Sequence, residues 1–171
     1  VPVGDPLNGS TAAGPSAPAT DQQIAADIEA ASGGQVAEAI ELLQDQPGRE
    51  QRSPRVTALA QSIMNDQEGI STELKAIETS ASIIPQESAK SDELARGSEH
   101  VIAGLRASAP GGVEKDYLEA QVREHRELLW LLDQRLIPQA ANPQIVVYLR
   151  EYRATIAHDL QTAEEVEASL R

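Results

Sequence analysis

The chain has 171 residues, 40% of them apolar, with 27 acidic against 14 basic side chains and a formal charge of −13. That length suits one domain with its own core, and the charge argues against nucleic acid or an anionic membrane surface as a partner. The absence of cysteine excludes disulfides and thiolate chemistry, and no apolar run reaches the roughly 18 residues of a membrane-spanning helix.

Residues 1–20 (VPVGDPLNGSTAAGPSAPAT) carry four of the ten prolines, three of the eleven glycines and a single charged side chain, Asp5. Such a stretch buries too little to offset its ordering entropy, so it reads as a disordered linker ahead of a helical domain spanning 21–171. Linkers of this kind commonly join an export signal or lipid anchor to a folded domain, which points to the periplasm or cell envelope. A first helix is predicted from Asp21 to Gln46 on Ile24, Ile28, Val36, Ile40 and Leu43. Gly33-Gly34 marks a weak point or a close helix contact within it, and Pro47-Gly48 its end. The second helix is the clearest: Ser53 as N-cap, Pro54 in the first turn, then Val56, Leu59, Ala60, Ile63, Met64, Ile70, Leu74 and Ile77 on one stripe. Steps of three and four leave a single vacancy in that stripe, occupied by the polar Gln67.

A shorter helix from about Glu87 to Ser108 turns Leu94, Val101, Ile102 and Leu105 inward, and Ala109-Pro110-Gly111-Gly112 stops it. The next runs from Val113 to Leu136, with His125 inside the stripe of Val113, Tyr117, Leu118, Val122, Leu129, Leu132 and Leu136. Asn142-Pro143 repeats the cap, and the last helix runs to about Leu170 through Ile145, Leu149, Tyr152, Ile156, Leu160 and Ala163. Tyr148 and Tyr152, one turn apart, read as packing side chains with a polar tip. The sum is an all-α, up-and-down four-helix bundle, with an extra short helix in the connection between the second and third long helices.

The segment SPRVTALAQSIMNDQEGISTELKAI (53–77) resembles the S-x-x-V-x-x-F-A-x-x-M-x-x-D-H helix of a bacterial ferritin-like family of unknown function, often labelled outer-membrane or periplasmic. VEKDYLEAQVREH (113–125) resembles that family's F-D-x-x-Y-L-x-x-M-V-x-x-H helix, with Tyr117, Leu118, Val122 and His125 in register. His158 with Leu160, and Gly33-Gly34 with Ala37-Glu38, resemble two further elements, each offset by one residue. The resemblance implies a ferritin-like bundle in an exported protein and no established reaction. It also marks a departure: the histidine of the family's second helix is Gln67 here, and an amide is a poorer transition-metal ligand than an imidazole.

Di-iron bundles use Glu-x-x-His on two helices. The residues three before His100, His125 and His158 are Gly97, Val122 and Thr155, so that motif is absent. His-Glu-x-x-His, the Gly-x-Ser-x-Gly elbow and the phosphate-binding glycine loops are absent too. What remains for a divalent metal is a degenerate mononuclear set: His125, His158 and Glu38 or Glu41, with Gln67 nearby. Plainer readings stand beside each. His125 reads as a buried histidine bonded to a polar neighbour, His158 as a surface histidine beside Asp159, and Glu38 and Glu41 as a solvated face. Gln67 then reads as an amide that satisfies His125 across the bundle. The sequence favours a non-catalytic binding or scaffold module without a cofactor, partnered by another protein or by copies of itself. A ferritin-like metal-binding protein is the second reading. Small-molecule binding in the bundle centre is the third, and it calls for a cavity of roughly 300 Å³ or more.

Overall fold

In the computed structural model, which describes residues 17–44 and 52–171, every regular element is helical. Capping chemistry sets most of the starts. Helix α1 (Asp21–Leu43) begins on a capping box in which the Thr20 hydroxyl accepts from the Gln23 N–H at 3.2 Å and Gln23 Oε1 accepts from the Thr20 N–H at 3.1 Å. Ser88 and Ser91 build the same box for α3 (Ala89–Ala107). Asn142 Oδ1 accepts from Gln144 N–H at 2.8 Å to start α6 (Pro143–Ser169). Ser53 precedes α2 (Pro54–Ala81), but its side chain makes no capping bond. Its N–H donates to Glu114 Oε1 at 2.6 Å instead, and Pro54 has no N–H to satisfy.

The helix starting at Val113 is straight through Leu131 (α4), widens to a π-helical turn over Leu132–Leu136, and ends in the short α5 (Ile137–Gln139). Pro138 accounts for the widening. It cannot donate to the carbonyl of Gln134, and its ring would strike that carbonyl in a regular α-turn. The predicted break at Pro47-Gly48 and residues 1–16 of the predicted linker lie outside the described residues. Residues 17–20 already belong to the fold: Ala19 is buried, and its N–H donates to Gln139 Oε1 at 2.8 Å.

Cross-helix pairs fix the directions. Glu29 meets Lys75 while Ser32 meets Ser71, so α1 and α2 are antiparallel. Tyr148 meets Ile70 and Tyr152 meets Gln67, which makes α2 and α6 antiparallel. Arg126–Glu164 and Arg153–Asp133 set α4 against α6, and Glu38–Gln121 with Asp21–Asn142 sets α1 against α4. The four helices therefore close a ring in which α2 and α4 point the same way. That connection requires a return pass, and α3 makes it. Asp27–Ser88, Gly34–Ser98 and Glu41–Arg106 lay α3 parallel to α1 along its whole length. The short helix expected in the connection is thus a full fifth rod of 19 residues. Gly34 permits the close approach, because a Cβ there would stand 2.8 Å from Ser98 Cβ.

The core is divided. One apolar cluster gathers Ile24, Ile28, Ile70, Leu74, Leu132, Leu136, Ile145, Leu149 and Ile156. The other gathers Leu42, Val56, Leu59, Ile63, Val101, Leu105, Leu118 and Val166. Between them each ring helix places buried polar residues at one level: Gln35 and Glu38 on α1, Gln67 on α2, Gln121 and His125 on α4, Asp159 on α6. In α1 the buried stripe runs 24, 28, 31, 35, 38, 42 and so passes through Gln35 and Glu38. The predicted stripe through Val36 and Ile40 drifts off that face: Val36 is half-buried and Ile40 is 45% exposed. The buried face of this half of the helix is mixed, with Gln35, Glu38 and Glu41 inward beside Ala39 and Leu42, so hydrocarbon spacing alone does not trace it.

Candidate functional site

The polar level across the bundle carries a connected but incomplete hydrogen-bond set. Gln121 Nε2 donates to Glu38 Oε2 at 2.8 Å. His125 Nδ1 lies 2.8 Å from the carbonyl of Gln121, which can only accept, so Nδ1 carries the hydrogen. His125 Nε2 then faces Asp159 Oδ2 at 3.8 Å, beyond hydrogen-bond reach. The Tyr152 hydroxyl donates to Gln67 Oε1 at 3.3 Å, and Ser32 Oγ donates to the carbonyl of Gln67 at 3.0 Å. Left without a protein partner at this level are Gln35 Oε1, Gln67 Nε2, the Tyr117 hydroxyl, Gln121 Oε1, His125 Nε2 and Asp159 Oδ2. Each such buried group carries a penalty of about 1–3 kcal/mol, and natural cores hold few of them. This layer is the candidate site.

Glu38 and Glu124 form its most perturbed pair. Glu38 is 1% exposed, and burial raises its carboxyl above the ordinary range despite help from Glu124, Ser98 and Gln121. Glu124 is pushed up to about 9, first by burial and then by the charge of Glu38. The two carboxyls hydrogen-bond each other, and at neutral pH Glu124 keeps its proton and donates it to Glu38. Burial and the same acids raise the Tyr117 hydroxyl. Toward α2, burial and then Asp159 raise Asp66.

The carboxyl pair is the inner end of a groove of about 550 Å³ between α1, α3 and α4. Ala31, Leu94, Leu128 and Leu131 give it apolar walls, Trp130, 66% exposed, stands at its rim, and Gly34 and Gly97 leave it space. Its polar end is Gln35, Glu38 and Glu124. The basic residues along it are spoken for: Lys90 pairs with Glu93 and Arg126 with Glu164.

The residues singled out from the sequence scatter. His125 and Gln67 lie in the polar level, but no hydrogen bond joins them: Gln67 pairs with Tyr152 and His125 with Gln121. Glu38 reaches the same level, whereas Glu41, one turn along, is ion-paired with Arg106 on α3 at 3.1 Å. Both glutamates are buried, contrary to a solvated face. His158 is exposed, one residue from the inward Asp159. Among the described residues no group of three or more histidine and acidic side chains converges to hold a metal ion. The donor set of His125, His158, Glu38 and Glu41 therefore does not fit a single ion as placed. Sequence reasoning passed over Glu124, Gln121, Asp159 and Gln35. The available signal was that 121 and 125 lie one turn apart on the stripe that carries Tyr117 and Leu118.

The sequence model of a family described as "Domain of unknown function (DUF4142)" matches residues 7–166. A crystal structure of a DUF305 fragment from Deinococcus radiodurans is similar in fold, with a TM-score of 0.65 and 25% identity, covering 90% of this chain and 99% of that one. No curated protein matches the chain. Among the described residues, no helix is long and apolar enough to cross a membrane.

Proposed function

We propose, for a chain that belongs to the DUF4142 family, that it is a non-catalytic binding module whose ligand enters the groove between α1, α3 and α4. The observation that carries this is a groove of about 550 Å³, within the size range of ligand sites, that joins apolar walls to the polar residues Gln35, Glu38 and Glu124. Apolar walls would hold the body of a ligand and the polar end would fix its orientation. The scaffold is read as ferritin-like. The antiparallel pairs α1–α2 and α4–α6, with parallel α2 and α4 joined by a long connection, support that reading. The cell envelope is the proposed location, on the Pro/Gly/Ala-rich residues 1–20 and the resemblance to exported proteins; cell fractionation that finds the protein in the cytoplasm would overturn it.

Trp130 is the chain's single tryptophan and stands at the groove rim, so its fluorescence reports on the site directly. Titration of a panel of small amphiphiles should give saturable Trp130 responses that calorimetry confirms. Gly97→Phe should remove them, since Gly97 lines the groove and a Cβ there meets nothing within 4 Å. If no compound gives a response that this variant abolishes, the groove is not a ligand site.

A further inference from the structure

We infer that the first half of α3, residues 89–97, is a flap that unwinds at Gly97 and opens on its own while the four-helix ring stays folded. Its opening admits water to the enclosed polar end of the groove. The inference concerns the protein without a ligand, so it stands or falls apart from the reading of the groove as a binding site.

The contacts that hold α3 are uneven along its length. In the second half, Val101 and Leu105 are buried and join the apolar cluster around Leu59 and Ile63. In the first half no apolar side chain is fully buried. Leu94 is half-buried, and the buried residues are Ser91 and, just beyond, Ser98. Hydroxyls tie this half down: Ser88 Oγ donates to Asp27 Oδ1 at 2.6 Å, and Ser98 Oγ to the Gly34 carbonyl at 3.1 Å. A hydrogen bond exchanged for one to water changes little, whereas buried hydrocarbon resists exposure. The serine-held half is therefore the easier to lift.

The helix is intrinsically weak at the same place. Gly97 lies in its interior, and a Cβ there would meet nothing within 4 Å. Close packing does not call for this glycine, as it does for Gly34, so its effect is to lower the stability of the helix itself. Gly97 also stands between the serine-held half and the anchor of Val101 and Leu105, where a local unwinding would end. On the other side the chain is fixed again: Ile83 is buried, and Gln86 N–H donates to the Gln22 carbonyl at 2.9 Å. The flap thus has a fixed point at each end.

What lies beneath it favours opening. Lys90, Leu94 and Gly97 line the groove whose inner residues, Gln35 and Glu38, are 4% and 1% exposed. Burial raises the carboxyls of Asp27, Glu38 and Glu124, so each gains from meeting water. Arg123 beside the glutamates, and Arg135 with Lys90 beside Asp27, offset that only in part. A segment with little buried hydrocarbon and a weakened helix is where a native protein opens at lower free energy than global unfolding.

Native-state hydrogen exchange on the full, unaltered chain reads the opening. Amides 93–98 are expected to exchange at least about 100-fold faster than the core amides of α2, α4 and α6, at a rate nearly independent of low urea. Gly97→Ala fits the open space and should slow amides 93–98 about five-fold, the effect of one glycine-to-alanine change inside a helix. Amides 93–98 as protected as the ring helices, with the same urea slope, would show that α3 opens only with the whole fold and would overturn the inference. An unchanged rate in Gly97→Ala would overturn it as well, since the helix would not be unwinding at that residue. Failure of every compound to enter the groove would leave the flap untouched, because exchange is read without a ligand.

Discussion

Glu124→Gln isolates the proton held at the centre of the bundle. In the folded chain Glu124 ionises near 9 against an ordinary 4.5, with burial as the larger cause. Between those two values the folded state binds more protons than the unfolded one. The stability contributed by the protonated carboxyl is therefore fully present below about 4.5, is lost as pH rises, and stops falling above about 9. One proton gives a slope of at most about 1.4 kcal/mol per pH unit. Glutamine has no proton to lose and still offers an N–H to Glu38, so it reproduces the neutral carboxyl while removing the slope. Between about pH 6 and pH 8 the stability of the variant should rise relative to the parent by up to about 2.7 kcal/mol. Asp27, Asp66 and Glu78 are also raised, chiefly by burial, but they titrate in both proteins and cancel in the difference. Urea unfolding followed by circular dichroism across that range measures the difference directly. Parallel stability–pH curves for the two proteins would show that Glu124 is ionised in the native state, and the shared proton would be refuted.

Gly34→Ala should destabilise by about 1–3 kcal/mol, because the added Cβ stands 2.8 Å from Ser98 Cβ. Gly33→Ala, with open space at the same turn, should stabilise by up to about 1 kcal/mol, and thermal unfolding of the two variants compares them. His125→Leu leaves Asp159 without the ring that faces it at 3.8 Å, and should weaken the fold by about 1–3 kcal/mol. His125→Leu with Asp159→Leu should lose less than the sum of the single changes, and a double-mutant cycle without coupling would separate the two residues. Asn142→Ala removes the acceptor for Gln144 N–H and should lower stability by about 1 kcal/mol in the same denaturation assay.

Much of the bundle was legible because α2, α4 and α6 bury what periodicity counts, hydrocarbon side chains at steps of three and four. Gln67 stood out for the same reason, as the one polar residue on an otherwise apolar stripe. The second half of α1 escapes periodicity because its inward positions include Gln35, Glu38 and Glu41, and polar side chains carry no signal of burial in the sequence. Glu124 was invisible to periodicity. It lies beside His125, off the centre of the stripe, and becomes inward only because α3 lies along α1 and α4 and covers it. That placement depends on Gly34 and Ser98, small residues 64 positions apart in the chain, and no local pattern announces such a contact. The groove is a product of the same packing, so it too was absent from any reading of single helices.

The belt of polar side chains between the two apolar clusters has a consequence for alignment. Leucine and isoleucine packing is tolerant, and helices that bury only hydrocarbon can slide past one another by a turn, about 5.4 Å, at modest penalty. Here a slip of one turn would carry Gln67 to the level now held by Ile63 or Ile70, or Asp159 to that of Ile156 or Ala163, and leave charges and amides against the hydrocarbon of the neighbouring helices. The belt acts as a set of index marks, one on each ring helix, that agree at a single axial setting. The groups that weaken the core as a core are the ones that tell four similar rods where to stop.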